Sequence, residues 1–332
     1  RKLNVGLELG LWDDQLFLTA DAFHERRDNI LTTRGTVSAI VGRSGGDLPP
    51  VNIGVVQNRG LDMELTYRNP ASKKVNYSVS GNLTFARNKV LFMDEEHREF
   101  DYQYRTGQRV GQPFGLVAIG FFESYEDIAN SPPHTFVTQE SLRPGDIKYK
   151  DINNDGVIDA NDEMPIGYNT GIPELMFGLS SRVSYGGFDF SVLFQGASHS
   201  SVFMDNFPIW EFRGGGAGKV NEWHLERWTP ETAATATYPR LSSTDNPNNH
   251  RLSTFWMRPR NYVRLKNIEL GYSFGASALK TIKIQKVRFY VNAYNLFTWD
   301  KAEIVDPEAP AWAGNDNYPQ QRVINGGITL DF

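Results

Sequence analysis

The pattern that most constrains this chain is a strict two-residue alternation that returns in nine separate stretches. In the first, Leu3, Val5, Leu7, Leu9 and Leu11 share one face, while Asn4, Gly6, Glu8 and Gly10 share the other. A period of two marks a β-strand with one apolar side. The second stretch runs from about Gln15 to Arg26, the third from Gln57 to Arg68, and the fourth from Val75 through Phe85. Alternation resumes at Leu175 to Tyr185 and, after Gly186-Gly187, at Phe188 to Phe194. It returns from Tyr262 to Phe274, where a slip of apolar phase near Lys266 and Asn267 predicts a bulge. Val287 to Phe297 is the eighth stretch; the ninth sets Ile324, Ile328, Leu330 and Phe332 on one face.

The connections alternate too, short then long. The long ones cover residues 27–56, 88–172, 199–260 and the Pro/Trp-rich stretch before the last strand; the second suggests a short hairpin around Phe114 to Phe122, and EWHLERW in the third suggests one short helix. In an up-and-down antiparallel sheet, every long connection then leaves from the same edge. Strands of about ten residues with short turns on one side and long loops on the other fit a transmembrane barrel. A β-sandwich also alternates but rarely sustains this asymmetry. The fold predicted is all-β: an antiparallel up-and-down transmembrane β-barrel portion with long extracellular loops. Its apolar face would meet lipid, and a wet lumen would take Asp21, Asp62, Glu64, Arg68, Arg182 and Asp189. Bacterial single-chain barrels have even strand numbers, and an open edge in lipid leaves backbone groups unpaired. The expectation is therefore about nine strands of a larger barrel.

Composition removes several functions. With 332 residues and a net charge of −5, the chain gives no electrostatic case for nucleic acid. The absence of cysteine excludes disulfides, thiol catalysis and Cys-based zinc sites. RKLNVGLELG reads as a strand rather than a signal peptide, and no apolar run reaches the ~18 residues of a membrane helix. The six histidines are scattered and form no catalytic constellation, so no enzyme is predicted.

One insert carries a calcium-loop pattern, DINNDGVIDANDE. Asp151, Asn153 and Asp155 fall at loop positions one, three and five, Gly156 at six, Val157 at seven, Asp159 at nine and Asp162 at twelve. Oxygen donors at this spacing can converge on one hard cation, and glycine at six permits the sharp turn. Asp replaces Glu at position twelve, and the flanks lack helical period, so this is a calcium loop without EF-hand helices. The metal set predicted is Asp151, Asn153, Asp155, Asp159 and Asp162 by side chain and Val157 by its carbonyl. The bland alternative is an Asx-rich turn that binds nothing.

Longer motifs, in order and spacing, resemble a family. They are RKLNVGLELGL, NRGLDMEL, GQPFGLVAIGFFES, PGDIKYKDINNDGVIDANDEMPIG, PELMFGLSSRVSYGGFDFSVLFQG, YVRLKNIELGYSF, VNAYNLFTWD, VDPE and the terminal ITLDF. Together they resemble the C-terminal part of a SusC/RagA-type TonB-dependent outer-membrane transporter. The resemblance implies a bacterial outer-membrane barrel, a plug and further strands from an N-terminal segment, and energy relayed by TonB. It also implies a SusD-like surface lipoprotein as lid, and oligosaccharide or peptide cargo. Phe332 would be the aromatic assembly signal of such barrels. The calcium would be a structural staple in the extracellular insert 88–172. The aromatic insert 199–260 supplies the substrate candidates Trp210, Phe212, Trp223 and Trp228, and Trp312 lies in a third loop. Flat rings stack on sugars or cover apolar side chains, although aromatics more often bury one another. The rival reading is a soluble calcium-stabilised lectin or adhesin, with a glycoside hydrolase third.

Overall fold

The computed structural model describes the chain except residues 38, 39, 41, 43–47, 71–73, 206–208, 214–217, 276–283 and 310–317. The alternating stretches form one antiparallel sheet. Its strands are β1 (Lys2–Leu11), β2 (Leu16–Thr32), β3 (Val51–Arg68) and β4 (Val75–Phe92). Next come four short strands of the first insert: β5 (Phe114–Gly115), β6 (Ala118–Phe121), β7 (Ile147–Tyr149) and β8 (Met164–Pro165). The sheet continues with β9 (Leu175–Tyr185) and β10 (Phe188–Ser198). The second insert holds β11 (Ser201–Phe203) and β12 (Met257–Pro259), and the sheet ends with β13 (Tyr262–Phe274), β14 (Lys286–Asp300) and β15 (Val323–Asp331). The order is β1-β2-β3-β4-β9-β10-β13-β14-β15, so each sheet strand pairs with the next in sequence. β1 and β15 are both edges, and the sheet is not closed.

Register converts alternation into two faces. One row runs Leu9, Leu18, Leu65, Gly81, Leu179, Phe194, Leu265 and Phe297 across eight strands. A row on the opposite face runs Arg68, Ser78, Arg182, Ser191, Glu269, Asn292 and Asn325. The expected polar positions fall together there: Asp21 faces Asp62, and Arg288 bridges Asp189 and Glu269. On the apolar face, large side chains stay exposed, among them Leu7 at 52%, Leu179 at 47% and Ile324 at 69%. Aromatic residues gather on that face near the short turns. Tyr67 and Tyr77 lie 5.7 Å apart, Phe188 and Tyr272 4.6 Å, and Tyr272 and Phe274 4.8 Å.

The turn chemistry explains the sharp reversals. Gly186 and Gly187 take φ of +56° and +90°, the left-handed pair a two-residue hairpin needs. The register of β13 shifts between Leu265 and Asn267, at the slip read from the sequence. The same bulge shows against β10, where Leu193 pairs with Asn267 and Phe194 with Leu265, leaving Lys266 as the extra residue.

Two expectations need correction. β2 runs to Thr32, β3 starts at Val51 and β4 ends at Phe92, so the first long loop shrinks to 33–50 and the first insert starts near 93. These extensions carry polar residues on both faces, such as Arg27 and Asp28 of β2, which break the apolar alternation there. The region from Phe114 to Phe122 is not a hairpin: β5 pairs with β8, and β6 with β7. EWHLERW does form one short helix, Glu222–Glu226, of the 3-10 type.

The two large inserts fold together over the long-loop edge. Leu116, Ile147, Tyr149 and Ile158 of the first pack with Met204, Ile209, Trp210, Tyr238 and Trp256 of the second in one buried cluster. This cap is where most fully buried side chains lie, whereas the sheet keeps few.

The two faces predict opposite responses to charge. Met63→Arg is expected to cost the bilayer-inserted barrel about 2–4 kcal/mol, because arginine at mid-depth in lipid is unsolvated. Glu64→Ala, one residue away on the polar face, should change stability by less than ~0.5 kcal/mol. Urea unfolding of protein refolded into vesicles measures both; equal effects would contradict the assignment of faces.

Candidate functional site

The cap is held by a buried polar stitch between its two inserts. The Asp146 carboxylate, 1% exposed, accepts bonds from the side-chain amides of Asn246 (3.0 Å) and Asn249 (2.9 Å) and from Arg240 (3.1 Å). Asn249 Oδ1 accepts the Ile147 N–H, and Asn248 Nδ2 donates to the Ile147 carbonyl at 2.9 Å. Tyr149 Oη donates to the Asn248 carbonyl at 2.7 Å, and the Trp256 indole N–H donates to that of Asn249. Asn248 and Asn249 thus use their side-chain amides to satisfy the backbone of strand β7, which would otherwise be buried unpaired, while Asn246 holds Asp146 beside it. No sequence motif announced them; a run of asparagines reads as a turn.

A second buried group surrounds Glu211, which is fully buried. Its carboxylate accepts from Tyr238 Oη at 2.7 Å, His250 Nε2 at 3.1 Å and the Ser242 N–H at 3.1 Å. Burial alone would raise its pKa; the bonds and charge of His250 and the Tyr238 hydroxyl outweigh burial and hold it below the ordinary 4.5. His224, also fully buried, donates from Nε2 to the Ile209 carbonyl and accepts the Asn221 N–H at Nδ1. Burial pushes its pKa below 6.5, and burial does the same to His134.

At the rim, the VDPE segment is tied to the barrel wall. Arg264 donates to Asp306 at 2.9 Å and to Glu308 at 2.7 Å, and Lys266 reaches Glu308 at 2.8 Å. Arg260 donates to the carbonyls of Pro307 and Thr170. The carboxylates of VDPE are therefore engaged in a third loop's attachment, and its arginine partners escaped the sequence reading because they sit inside a strand pattern.

Against this frame the sequence-predicted rings separate. Trp210 is buried at 5%, stacked on His250 at 4.7 Å with Arg213 on its ring at 4.8 Å. Trp228 covers Gly145, whose φ of +89° and closeness to the indole both require glycine. Phe212 is half-buried at a turn with φ of +45°. Trp223 is half-buried and lines a cleft of about 430 Å³ together with Tyr238, Phe255, Trp256, Arg258 and Ile304. Its indole N–H has no partner among the described residues. Trp312 lies outside the described residues. The structure thus brings one predicted ring into a cleft and adds Phe255, Trp256 and Arg258, which alternation could not distinguish from core.

The proposed metal residues form a tight Asx turn. Asp151 accepts the N–H groups of Asn154 (2.6 Å) and Gly156 (2.8 Å), and Asp155 accepts that of Val157 at 2.9 Å. Asp162, fully buried, accepts from Ile152 and Asp159. Asn154 and Gly156 take φ of +60° and +86°. Burial and then the charges of Asp162, Asp155, Asp151 and Asp159 push the Tyr102 phenol up, so four carboxylates act on one neighbour. The donors are the hard oxygens calcium takes. Among the described residues, however, no three His, Cys, Asp or Glu side chains are drawn to metal-binding spacing.

A family model described as "TonB dependent receptor-like, beta-barrel" matches residues 1–296. The chain belongs to the TonB-dependent receptor β-barrel family. TonB-dependent receptor P3 of Formosa agariphila is 25% identical over all of this chain and 34% of its own length. TonB-dependent receptor SusC of Bacteroides thetaiotaomicron is 23% identical over 99% of this chain and 31% of its own length. The fold matches the RagAB peptide importer in its open-open state with a TM-score of 0.72 and 20% identity, over 100% of this chain and 34% of that one. The closed-closed state gives a TM-score of 0.72 at 21% identity over 100% of this chain and 35% of that one. The chain thus spans about a third of the relatives it matches. The SusC/RagA-type resemblance read from the motifs is borne out. Family membership places the sheet in the outer membrane. The apolar face is then the lipid face, the polar face lines the lumen, and the cap stands on the long-loop, extracellular side. TonB-dependent receptors are transporters rather than enzymes.

The buried histidines give the cap a pH response. His134 and His224 are held neutral, with folded pKa values below 6.5. Their stabilisation is whole above that value and is lost as pH falls toward the folded values, because the unfolded chain takes the protons first. Glu211, also lowered, adds its loss only below 4.5. Proteolysis of the cap should therefore quicken between about pH 6.5 and pH 5, before carboxylates titrate. A flat profile across that window would contradict neutral burial.

Proposed function

We propose that this chain is the C-terminal barrel wall and extracellular cap of a TonB-dependent importer of oligomeric nutrients, glycans or peptides. A SusD-like surface lipoprotein would act as its lid. The remaining strands and plug would come from an N-terminal segment through which TonB acts. The observation that carries this reading is the aromatic cleft at Trp223, set in a cap above a polar-lined wall. Stacked rings take either sugar faces or apolar side chains, and Arg258, Lys301 and Glu303 at the cleft add charged contacts for a polar oligomer. The RagAB structures with the shared fold are of a peptide importer, which favours peptide among the two cargo classes. A soluble lectin does not suit a chain of this family.

Trp223→Ala in the full-length transporter is expected to weaken cargo binding about three- to tenfold, the value of one lost aromatic contact. Calorimetry with oligopeptide and oligosaccharide mixtures measures it and separates the cargo classes. Trp210→Phe, inside the cap, should leave affinity unchanged when the cap folds. Equal affinity of Trp223→Ala for every cargo would remove the cleft from the import route.

The loop from Asp151 to Asp162 is proposed to take calcium as a structural staple. What supports it is the run of oxygen donors at calcium-loop spacing, from Asp151 to Asp162. Calcium would offset their mutual repulsion and stiffen a loop with little core of its own. The metal content of purified protein should fall with Asp151→Ala, and chelation should speed cleavage within the loop. Unchanged metal content in that variant would leave the Asx turn as the whole role of these residues.

A further inference from the structure

The lipid-facing wall changes character on its extracellular side. Above the row Ala22, Leu61 and Phe85, the next residues on the same face are His24, Arg59 and Arg87. The row beyond is Arg26, Gln57 and Lys89. Register shifts on these strands begin only past Arg27 and Val56, so both rows continue the lipid face without a flip.

Height is informative. Arg59 stands eight residues along β3 from Tyr67 in the aromatic group near the short turns. At ~3.4 Å per residue and a tilt near ~40°, that is roughly 20 Å, close to the ~25 Å apolar band of a barrel. These cations therefore sit where the headgroups of the outward leaflet begin.

Charge is informative too. Arg59 lies directly opposite Arg87, and like charges paired across strands repel. Arg87 is partly neutralised by Glu174 at 2.6 Å, which also holds Arg109. Arg59 and Lys89 are exposed, with no ion pair or side-chain hydrogen bond among the described residues. Arg59, Arg87, Lys89 and Arg109 line a cleft of about 480 Å³, with Gln57 and Asn88 beside them and no carboxylate in its lining. An arrangement of this kind recognises phosphate: guanidinium forks and an ammonium around a space large enough for a phosphorylated sugar.

We propose that this cleft docks the phosphate-bearing headgroup of an anionic lipid of the outward leaflet, its acyl chains lying along the Leu61 and Phe85 wall. Continuity with the lipid face selects a lipid over a soluble anion, because an acyl chain can descend directly from the cation rows onto apolar wall. The proposal rests on the wall's place in the outer membrane and is independent of the cargo.

The test uses the full-length transporter extracted from outer membranes in mild detergent. Wild type, Arg59→Ala/Lys89→Ala and the charge-conserving Arg59→Lys/Lys89→Arg are compared for lipid phosphate retained per protein, by phosphate analysis and native mass spectrometry. The double alanine variant should retain at least threefold less, and the charge-conserving variant should match wild type. Both positions are exposed, and heat-shifted gel mobility checks that each barrel is folded. Adding back phosphorylated glycolipid micelles should raise the melting temperature of wild type but not of the alanine variant, while inorganic phosphate alone should raise neither. Equal lipid retention in the alanine variant would overturn the proposal. So would inorganic phosphate reproducing the stabilisation, or a change in oligomeric state with lipid content unchanged, which would make the patch a contact between copies.

Discussion

Everything in this molecule depends on where its backbone finds hydrogen bonds. In hydrocarbon there is no water to take an unpaired N–H or C=O, so the ladder between neighbouring strands must be continuous. Nine strands in sequential order meet that demand within the chain, except along β1 and β15. Once the ladder is fixed, the side chains have no freedom of face: a period of two puts Leu65 in lipid and Glu64 in the lumen. The same constraint explains the cap. Loops cannot lie in lipid, so the two large inserts gather beyond the barrel rim, where they must build a core and satisfy their own polar groups.

The wall and the cap solve that problem differently. The wall needs little internal core, because lipid covers its apolar side and water its polar side; large side chains such as Leu179 and Ile324 stay exposed on its outer face. The cap has no lipid, so it buries Ile147, Tyr149 and Trp256 together and pairs Asp146, Glu211 and His224 inside. Removing one partner of such a group leaves the others desolvated and unpaired, which is costlier than the bond itself is stabilising. Rigidity near the cleft follows from this chemistry rather than from regular secondary structure.

How much was legible follows the same division. The sheet was readable because lipid and lumen impose a regular period on residues such as Leu61, Met63 and Leu65. The phase slip at Lys266 located a bulge because one extra residue shifts every later side chain. The strand extensions to Thr32 and Phe92 were missed because they rise out of lipid, where either face tolerates charge. The cap was hardly readable: pairing of β6 with β7 and of asparagines with Asp146 joins residues far apart in sequence, and no local period encodes it. Aromatic content marked the insert as a candidate site, yet separating Trp223 from Trp210 required knowing which ring the core had already claimed.

The polar stitch also dictates an order of assembly. Asp146 meets Asn246 across one hundred positions of chain. Its first insert leaves β4 and returns at β9, but it cannot close until β10 has been laid down and the second insert follows. Non-local contacts of this span are slow to form because loop closure costs entropy before any bond is gained. The barrel strands shorten that search by holding the ends of both inserts at one rim. The cap is thus a late-folding unit templated by the wall, and a register error in β9 or β10 would be felt first as a failure of the cap to close.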